Sequence, residues 1–251
     1  MINQQVKIIF RFSFLFFLQS SSVFAATYYL SPTGSDTNNG SAGAPLATIM
    51  MAQSIAASGD TVIINAGTYT VPVSISLVSG VWAIVNNINK NGITYQAAPG
   101  TRPVFDFSGV TDPGLRIVAF WVTATGVTFQ GFDVIGVRET ITGVNNQSVG
   151  MFGWGSKNCT WNQVHVHDGE CVGFYFQKVS SNNLVYQCDS YNNAGIDSFS
   201  YGNADGFGCH PSPGGTGNVF REDRAWNNSD DGYDCINSSE VVVFDHCWSY
   251  K

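Results

Sequence analysis

Residues 217–228 read GNVFREDRAWNN, and the pattern of this segment returns at several points along the chain. Two positions of the segment, Phe220 and Asp223, each belong to a series. The first series is Phe129, Trp161, Val185, Phe220 and Phe244, spaced by 32, 24, 35 and 24 residues. The second series follows three residues later at Phe132, Val164, Cys188, Asp223 and Cys247. The paired asparagines Asn227-Asn228 likewise align with Asn192-Asn193, which predicts stacked asparagines at a turn.

A third series has glycine followed by an apolar residue, at Gly150-Met151, Gly173-Phe174, Gly206-Phe207 and Gly232-Tyr233. A unit of about 23 to 24 residues, lengthened in some copies by about ten, is typical of a solenoid whose turns carry loop insertions. A β-sandwich is the alternative, but its hairpin turns would recur every 8 to 12 residues or so. The sequence therefore predicts an all-β parallel β-helix, and the low charged fraction of 12% agrees with many short strands and tight turns.

The N-terminal residues 1–25 have the pattern of a secretory signal peptide. Lys7 and Arg11 precede the apolar run 12–18, and Val23-Phe24-Ala25 places small side chains at the cleavage positions. A membrane anchor is the alternative, but the polar residues at 19–22 interrupt the run too early to span a bilayer. We expect export to the periplasm or the medium, a mature chain that begins at Ala26, and no membrane partner.

Residues 26–70 are expected to form an N-terminal cap and the first coil. A segment from Pro45 to Ala57 has a partial helical stripe, which predicts one short capping helix. The β-branched segment 59–69 is bracketed by turn residues and predicts a strand. Residues 28–69 resemble the opening coil of bacterial right-handed parallel β-helices, so residues 71–251 are expected to form the remaining coils.

The net charge of −7 and the lack of any basic run exclude a phosphate-backbone partner, so no nucleic acid is expected. An acidic polysaccharide is compatible with this charge only if a cation bridges the like charges. The six cysteines form no C-x-x-C pair, and we expect them to be buried apolar residues rather than metal ligands.

Two Asp-Gly segments, at residues 203–207 and 230–234, lie in the glycine series. Asp205 and Asp231 share one position of the repeat, so they are expected on neighbouring coils about 4.8 Å apart. Two ionised carboxylates at that distance repel, and the nearby Asp230 and Asp234 favour a bound cation over protonation as the remedy. Calcium is favoured over magnesium because several carboxylates would bind directly. The alternative is that these residues only form repeated Asp-Gly turns.

The segments 204–207, 217–221 and 224–234 resemble polysaccharide lyase family nine, with a specific match over 186–251 and a fold-level match over 28–185. The resemblance implies a right-handed parallel β-helix that cleaves polygalacturonate by calcium-assisted β-elimination. It also implies the calcium ligands Asp205, Asp230, Asp231 and Asp234. The lysine base of the family stands in an Asn-Gly-Phe-Lys segment one coil after the calcium site, which is expected beyond Lys251. Lys251 itself aligns with Asn227 in a turn, so it is rejected as the base and the chain is expected to be a fragment.

Arg221 and Arg224 are candidates for bidentate binding of substrate carboxylates, and solvated surface arginines are the alternative. His210, beside Pro211, is expected in a surface loop. The other histidines, at 165, 167 and 246, are expected on exposed strand or turn positions.

The leading hypothesis is a monomeric, secreted, calcium-dependent pectate lyase or a fragment of one, acting on pectate (polygalacturonate). A polygalacturonase-type hydrolase is a second hypothesis, although the sequence lacks the Gly-His-Gly segment of such enzymes. A third is a non-catalytic β-helix in which calcium only ties coils together, serving as a carbohydrate-binding or adhesion module.

Overall fold

The computed structural model describes residues 25–71, 75–111, 114–143, 146–197 and 203–251. Within them the chain winds through three sheets, of eight, seven and seven strands, and every strand pair but one is parallel. The single antiparallel pair, at residues 77–79 and 82–84, lies at the N-terminal edge of the third sheet. This is the predicted β-helix, and from β6 to β20 each coil contributes one strand to each sheet. The predicted signal peptide lies outside the described residues, except for Ala25.

Three sets of strands make up the three sheets, numbered in chain order. The first sheet comprises β1 (Thr27–Leu30), β2 (Thr61–Ile64), β6 (Thr94–Ala97), β9 (Thr128–Gln130), β12 (Thr160–Asn162), β15 (Leu184–Tyr186), β18 (Asn218–Arg221) and β21 (Val242–Asp245). The second comprises β3 (Thr68–Thr70), β7 (Val104–Asp106), β10 (Asp133–Ile135), β13 (His165–His167), β16 (Asp189–Tyr191), β19 (Arg224–Trp226) and β22 (Trp248–Tyr250). The third comprises β4 (Leu77–Ser79), β5 (Trp82–Ile88), β8 (Arg116–Val122), β11 (Ser148–Trp154), β14 (Cys171–Lys178), β17 (Phe207–Pro211) and β20 (Tyr233–Asp234).

The register of the first sheet is the one that the sequence series predicts. Phe129 pairs with Trp161, Trp161 with Val185, Val185 with Phe220 and Phe220 with Phe244. These side chains point into the coil, where rings on successive coils stack, with 5.7 Å between the centroids of Phe129 and Trp161. A single coil cannot bury these apolar side chains. Stacking against the coils above and below removes them from water, and this burial stabilises the β-helix.

The N-terminal helix α1 (Ile49–Ile55) is the predicted capping helix, and the side chain of Thr48 caps it by accepting the amide of Met51. The segment predicted as one strand over 59–69 forms instead two strands, β2 and β3, on different sheets. Gly67 lies between them with φ of 127°, a conformation that lets the chain turn the corner.

The glycines of the third series are required by close contact between sheets rather than by backbone conformation. None of Gly150, Gly173, Gly206 and Gly232 has a positive φ. A Cβ at Gly173 would lie 2.0 Å from the hydroxyl of Ser190, and one at Gly232 would lie 2.0 Å from that of Ser249. Each glycine faces a second-sheet side chain inside the coil, and the residue that follows it also faces inward, so the usual alternation of the strand is broken at this point.

Asparagine side chains stack at two turns. The predicted stack joins Asn193 Nδ2 to Asn228 Oδ1 at 3.1 Å, and a second stack, not predicted, joins Asn183 to Asn218 at 3.0 Å. Each amide also satisfies backbone groups that the turn leaves without a ladder partner. The six cysteines are all free thiols, four of them buried, in agreement with their prediction as apolar residues.

Among the described residues, no helix is long and apolar enough to cross a membrane.

Candidate functional site

The two acidic segments meet beside β17 and β20, the last two strands of the third sheet. Phe207 pairs with Tyr233 on the neighbouring coil, which brings Asp205 and Asp231 into the same register. Both apolar residues point inward, where their rings stack at 5.1 Å. Because Gly206 and Gly232 also face inward, Asp205 is turned to the outer surface, in line with Val149 and Val172 of the preceding coils. The register that the sequence predicts for the two segments is therefore confirmed.

Three carboxylates form the tightest acidic group among the described residues. Asp205, Asp230 and Asp231 each offer an oxygen, and these atoms all lie within 4.8 Å of one another. Asp205 is buried, at 7% exposure, whereas Asp230 and Asp231 are accessible to solvent. The Asp231 backbone amide donates to Asp205 Oδ1 at 3.3 Å, which fixes the spacing of the two coils here.

The protonation of this group is strongly perturbed. Burial, followed by the charges of Asp230 and Asp234, raises the pKa of Asp205 to about 8. Partial burial and the neighbouring Asp231 and Asp234 also raise the pKa of Asp230. The carboxylates therefore oppose one another's ionisation when no cation is bound.

The fourth predicted ligand, Asp234, lies beside the three-carboxylate group. Its Oδ1 accepts the Ile236 amide at 2.7 Å, and its Oδ2 lies 3.0 Å from His210 Nε2. His210 Nδ1 is 3.2 Å from the hydroxyl of Tyr175, which in turn accepts the side-chain amide of Gln177 at 2.6 Å. The Ile236 amide therefore holds Oδ1 of Asp234, and Oδ2 packs against the imidazole of His210 without a hydrogen bond to it.

The position of His210 differs from the surface loop predicted for it. It lies within β17, and its side chain is only 15% exposed. Gly208 pairs with Asp234, and His210 stands two residues further along the strand on the same outer face. Strand alternation was the signal that could have identified this neighbour of the acidic group.

The donor set of the site fits a hard divalent cation. Carboxylate oxygens are the ligands that calcium prefers, and three of them already lie within the span of one coordination sphere. A cation would also stabilise the ionised form of Asp205, which burial and repulsion otherwise disfavour. The residues present are thus consistent with calcium.

The two candidate arginines lie on the other two sheets, and each is paired with a carboxylate. Arg221 of β18 contacts Asp245 at 2.8 Å on the exposed surface. Arg224 of β19 makes two hydrogen bonds to the buried Asp189. Neither contacts the acidic group directly, so the structure does not bring them together with it.

A second charged cluster, which the sequence did not indicate, crosses the outer face of the second sheet. Asp133, His165, Asp189 and Arg224 occupy one register position on successive coils, so acids and bases alternate. His165 and His167 were expected to be exposed, but their side chains are only 21% and 14% exposed. Burial, followed by the charge of Arg102, lowers the pKa of His165 to about 4. For His167, burial opposes protonation, but the nearby carboxylates of Asp133 and Asp168 outweigh it and raise the pKa.

Comparison with known proteins agrees with this geometry. Pectate lyase L of Dickeya chrysanthemi is 32% identical over 227 residues, which are 89% of this chain and 50% of that enzyme. Pectate lyase PEL9 of Emericella nidulans is 32% identical over 214 residues, 85% of this chain and 50% of that enzyme. The chain thus spans about half the length of the curated relatives it matches.

Two solved structures share the fold. A rhamnogalacturonan lyase is 40% identical with a TM-score of 0.84, covering 89% of this chain and 57% of that one. The pectate lyase Pel9A is 28% identical with a TM-score of 0.67, covering 89% of this chain and 53% of that one. A family model described as "Pel9A-like, right handed beta helix region" matches residues 28–251. The coil register, the acidic segments and this match together establish that the chain belongs to the Pel9A-like right-handed β-helix family of polysaccharide lyase family nine.

Proposed function

We propose that this chain is the calcium-binding part of a secreted lyase that cleaves polygalacturonate by β-elimination. The observation that carries the proposal is the group of Asp205, Asp230 and Asp231, with oxygens within 4.8 Å, on the outer face of the third sheet. Residues that hold a cation in a solvent-accessible position can also place it against a uronate carboxylate. Relatives named pectate lyase provide the substrate class.

In this proposal Asp205, Asp230, Asp231 and Asp234 hold the cation. When bound, calcium would stabilise the negative charge that builds on the uronate carboxylate as the C5 proton leaves. Asp205 supplies its oxygen from a buried position, so its carboxylate cannot move away when substrate enters. The Ile236 amide and the packed imidazole of His210 limit the movement of Asp234.

The proton acceptor is proposed to be a lysine one coil further on, beyond Lys251, and the experiments below therefore use the full-length gene product. Arg221 is the more suitable of the two arginines for substrate binding, because its partner Asp245 is itself exposed. Arg224 can offer substrate only its remaining donors, since releasing it would leave the buried Asp189 without a partner.

A second substrate is favoured by one observation, the rhamnogalacturonan lyase structure, whose sequence is 40% identical to this chain. Rhamnogalacturonan also carries galacturonate, so the same removal of a C5 proton could cleave it. Polygalacturonate carries a carboxylate on every sugar, whereas rhamnogalacturonan alternates galacturonate with rhamnose, so the two substrates differ in the spacing of carboxylates along the polymer.

The test is to incubate the full-length protein with polygalacturonate and, separately, with rhamnogalacturonan, following the ultraviolet absorbance of the unsaturated uronide product. We expect a signal on polygalacturonate that a calcium chelator abolishes and added calcium restores. A signal on rhamnogalacturonan alone would support the second substrate, and products without a double bond would support a hydrolase. Calcium binding without turnover on either polymer would support a carbohydrate-binding or adhesion module.

A matched pair of variants separates the site from general effects of charge. Asp231→Asn is expected to lower the lyase rate by at least about 100-fold, because it removes a direct ligand. Asp106→Asn makes the same chemical change on the second sheet, where Asp106 accepts the Ser108 amide, and should leave the rate unchanged. Equal losses in both variants would count against the proposed site.

Secretion and a monomeric state are parts of the same proposal. Cell fractionation tests the first, and sedimentation tests the second.

A further inference from the structure

Asp60 is a buried carboxylate at the start of the first coil. It is 5% exposed, and its two oxygens accept two backbone amides, those of Ala26 at 2.7 Å and of Ala57 at 2.8 Å. Ala26 leads directly into β1, and its carbonyl accepts the amide of Thr61 at 2.9 Å. Asp60 therefore ties the beginning of the first strand to the first coil.

No cationic side chain lies within ion-pair distance of Asp60 in the part of the chain that the structure describes. Lys90, which reaches the same region, gives its ammonium to the carbonyls of Ser54 and Ala56 instead. Withdrawing a carboxylate from water is costly unless a positive charge or several hydrogen bonds compensate. Two amide donors are a modest compensation for a carboxylate with about four acceptor positions.

The sequence singles out the same nitrogen by a separate argument. Val23 and Ala25 are the small residues that a signal peptidase requires at the third and first positions before the bond it cuts, which makes Ala25–Ala26 the scissile bond. A cut one residue later would place the bulky Phe24 at the third position. The nitrogen that this cut would release is the one that Asp60 already accepts.

We propose that Ala25–Ala26 is a processing site and that Asp60 is the receptor for the α-ammonium group released there. Hydrolysis by the leader peptidase of an exporting cell adds one water across the peptide bond. Ala25 leaves with the new carboxylate, and Ala26 keeps the new amine. That amine has an ordinary pKa of about 8, so it is mostly protonated at neutral pH and faces Asp60 as a cation.

Cleavage thus converts a hydrogen bond from a neutral amide to the Asp60 carboxylate into a contact between two opposite charges, at a distance of 2.7 Å that suits an ammonium–carboxylate pair. The unprocessed chain has only an amide at this position. The processed chain is therefore expected to hold β1 against β2 more firmly than the unprocessed chain does.

The experiment first identifies the N-terminal residue of the full-length protein exported by a bacterial host, by intact mass and N-terminal sequencing. Full-length chains are then prepared from a fusion whose protease leaves either Ala26 or an added serine before Ala26 as the first residue. Each is made with Asp60 and with Asp60→Asn, and the thermal unfolding midpoints of the four proteins are compared at neutral pH.

We expect Ala26 as the exported N-terminus, and a midpoint about 2–6 °C lower for the serine-extended chain than for the Ala26 chain. In the Asp60→Asn background the extension should have no effect, because the charge that the ammonium meets is gone. The serine extension leaves Asp60 intact, so it keeps the test readable if Asp60→Asn folds poorly. Cleavage at another bond, or an equal effect of the extension in both backgrounds, would overturn the proposal.

Discussion

At the scale of single residues, the acidic site combines burial with like charge. Asp205 is 7% exposed and lies within reach of three other carboxylates, so its pKa is raised to about 8. A residue with that environment gains most from a cation, because ionisation and binding then occur together. This makes Asp205 the residue whose removal should have the largest effect on metal binding.

We expect Asp205→Asn to weaken calcium binding by at least about 100-fold, because a charged ligand is replaced by a neutral one in a buried position. Isothermal titration of the full-length protein with calcium measures the loss. In the absence of calcium the same variant should unfold at an equal or higher temperature than the parent, since it removes repulsion. Asp106→Asn, on another sheet, is the matched control and should change neither quantity. Unchanged calcium affinity in Asp205→Asn would place the cation elsewhere.

His210 acts on the site through Asp234. Its Nε2 lies 3.0 Å from Asp234 Oδ2, and Tyr175 holds the opposite nitrogen. Loss of a residue that orients a metal ligand typically costs about 10–100-fold in affinity, and we expect about tenfold for His210→Ala. His210→Gln, which keeps a side-chain N–H donor, should recover part of the loss. Calcium affinities of the three proteins give the comparison, and equal affinity in His210→Ala and the parent would contradict the role.

At the scale of the elements, the glycine series of residues 150, 173, 206 and 232 sets how closely the second and third sheets approach. A Cβ at Gly206 would lie 2.7 Å from the carbonyl oxygen of Gly232 and 2.9 Å from Ala225 Cβ, both parts of rigid strands. Gly206→Ala is therefore expected to lower the free energy of unfolding by about 2–3 kcal/mol through overpacking. Gly43→Ala is the matched control, because Gly43 has no positive φ and no atom within 4 Å of the added methyl group. Equal midpoints of denaturant unfolding for both variants would contradict this packing argument.

The sequence predicted the features in which one class of residue returns on every coil. It missed the features in which the residue at a given position changes from one coil to the next. Phe220 and Asn228 could be placed because the same residue class returns at the same position of each coil. The alternating row from Asp133 to Arg224 could not, since each position carries a different charge and no repeat connects them. The corner at Gly67 was also missed, because β-branched residues continue on both sides of it.

The aspartates of the candidate site were predictable from the sequence, whereas the place of His210 was not. The repeat placed Asp205 and Asp231 on adjacent coils, and the resemblance to a lyase family added Asp230 and Asp234. His210 was assigned to a loop because Pro211 follows it, whereas the strand continues through Pro211. A proline is tolerated there because its carbonyl, not its missing amide, makes the bond to the next coil, accepting the Ser239 amide at 3.1 Å.

At the scale of the whole molecule, stability and calcium are coupled through pH. The pKa values of Asp205 and of the buried Asp223 are both raised to about 8, mainly by burial. From about pH 4 to pH 8 the folded chain keeps protons that the unfolded chain has lost, so stability falls as the pH rises. Calcium removes this effect at Asp205, where it replaces the proton, and leaves it unchanged at Asp223.

We therefore expect calcium to raise the unfolding midpoint of the full-length protein more at pH 8 than at pH 5, where Asp205 still holds its proton and competes with the cation. The measurement compares thermal unfolding with calcium and with a chelator at both pH values. Titration of His165, His167 and Asp223 affects both members of each pair equally and cancels in the difference. Asp205→Asn should abolish the pH dependence of the calcium effect, whereas Asp223→Asn should preserve it. A calcium effect of the same size at pH 5 and pH 8 would show that binding does not displace the proton of Asp205.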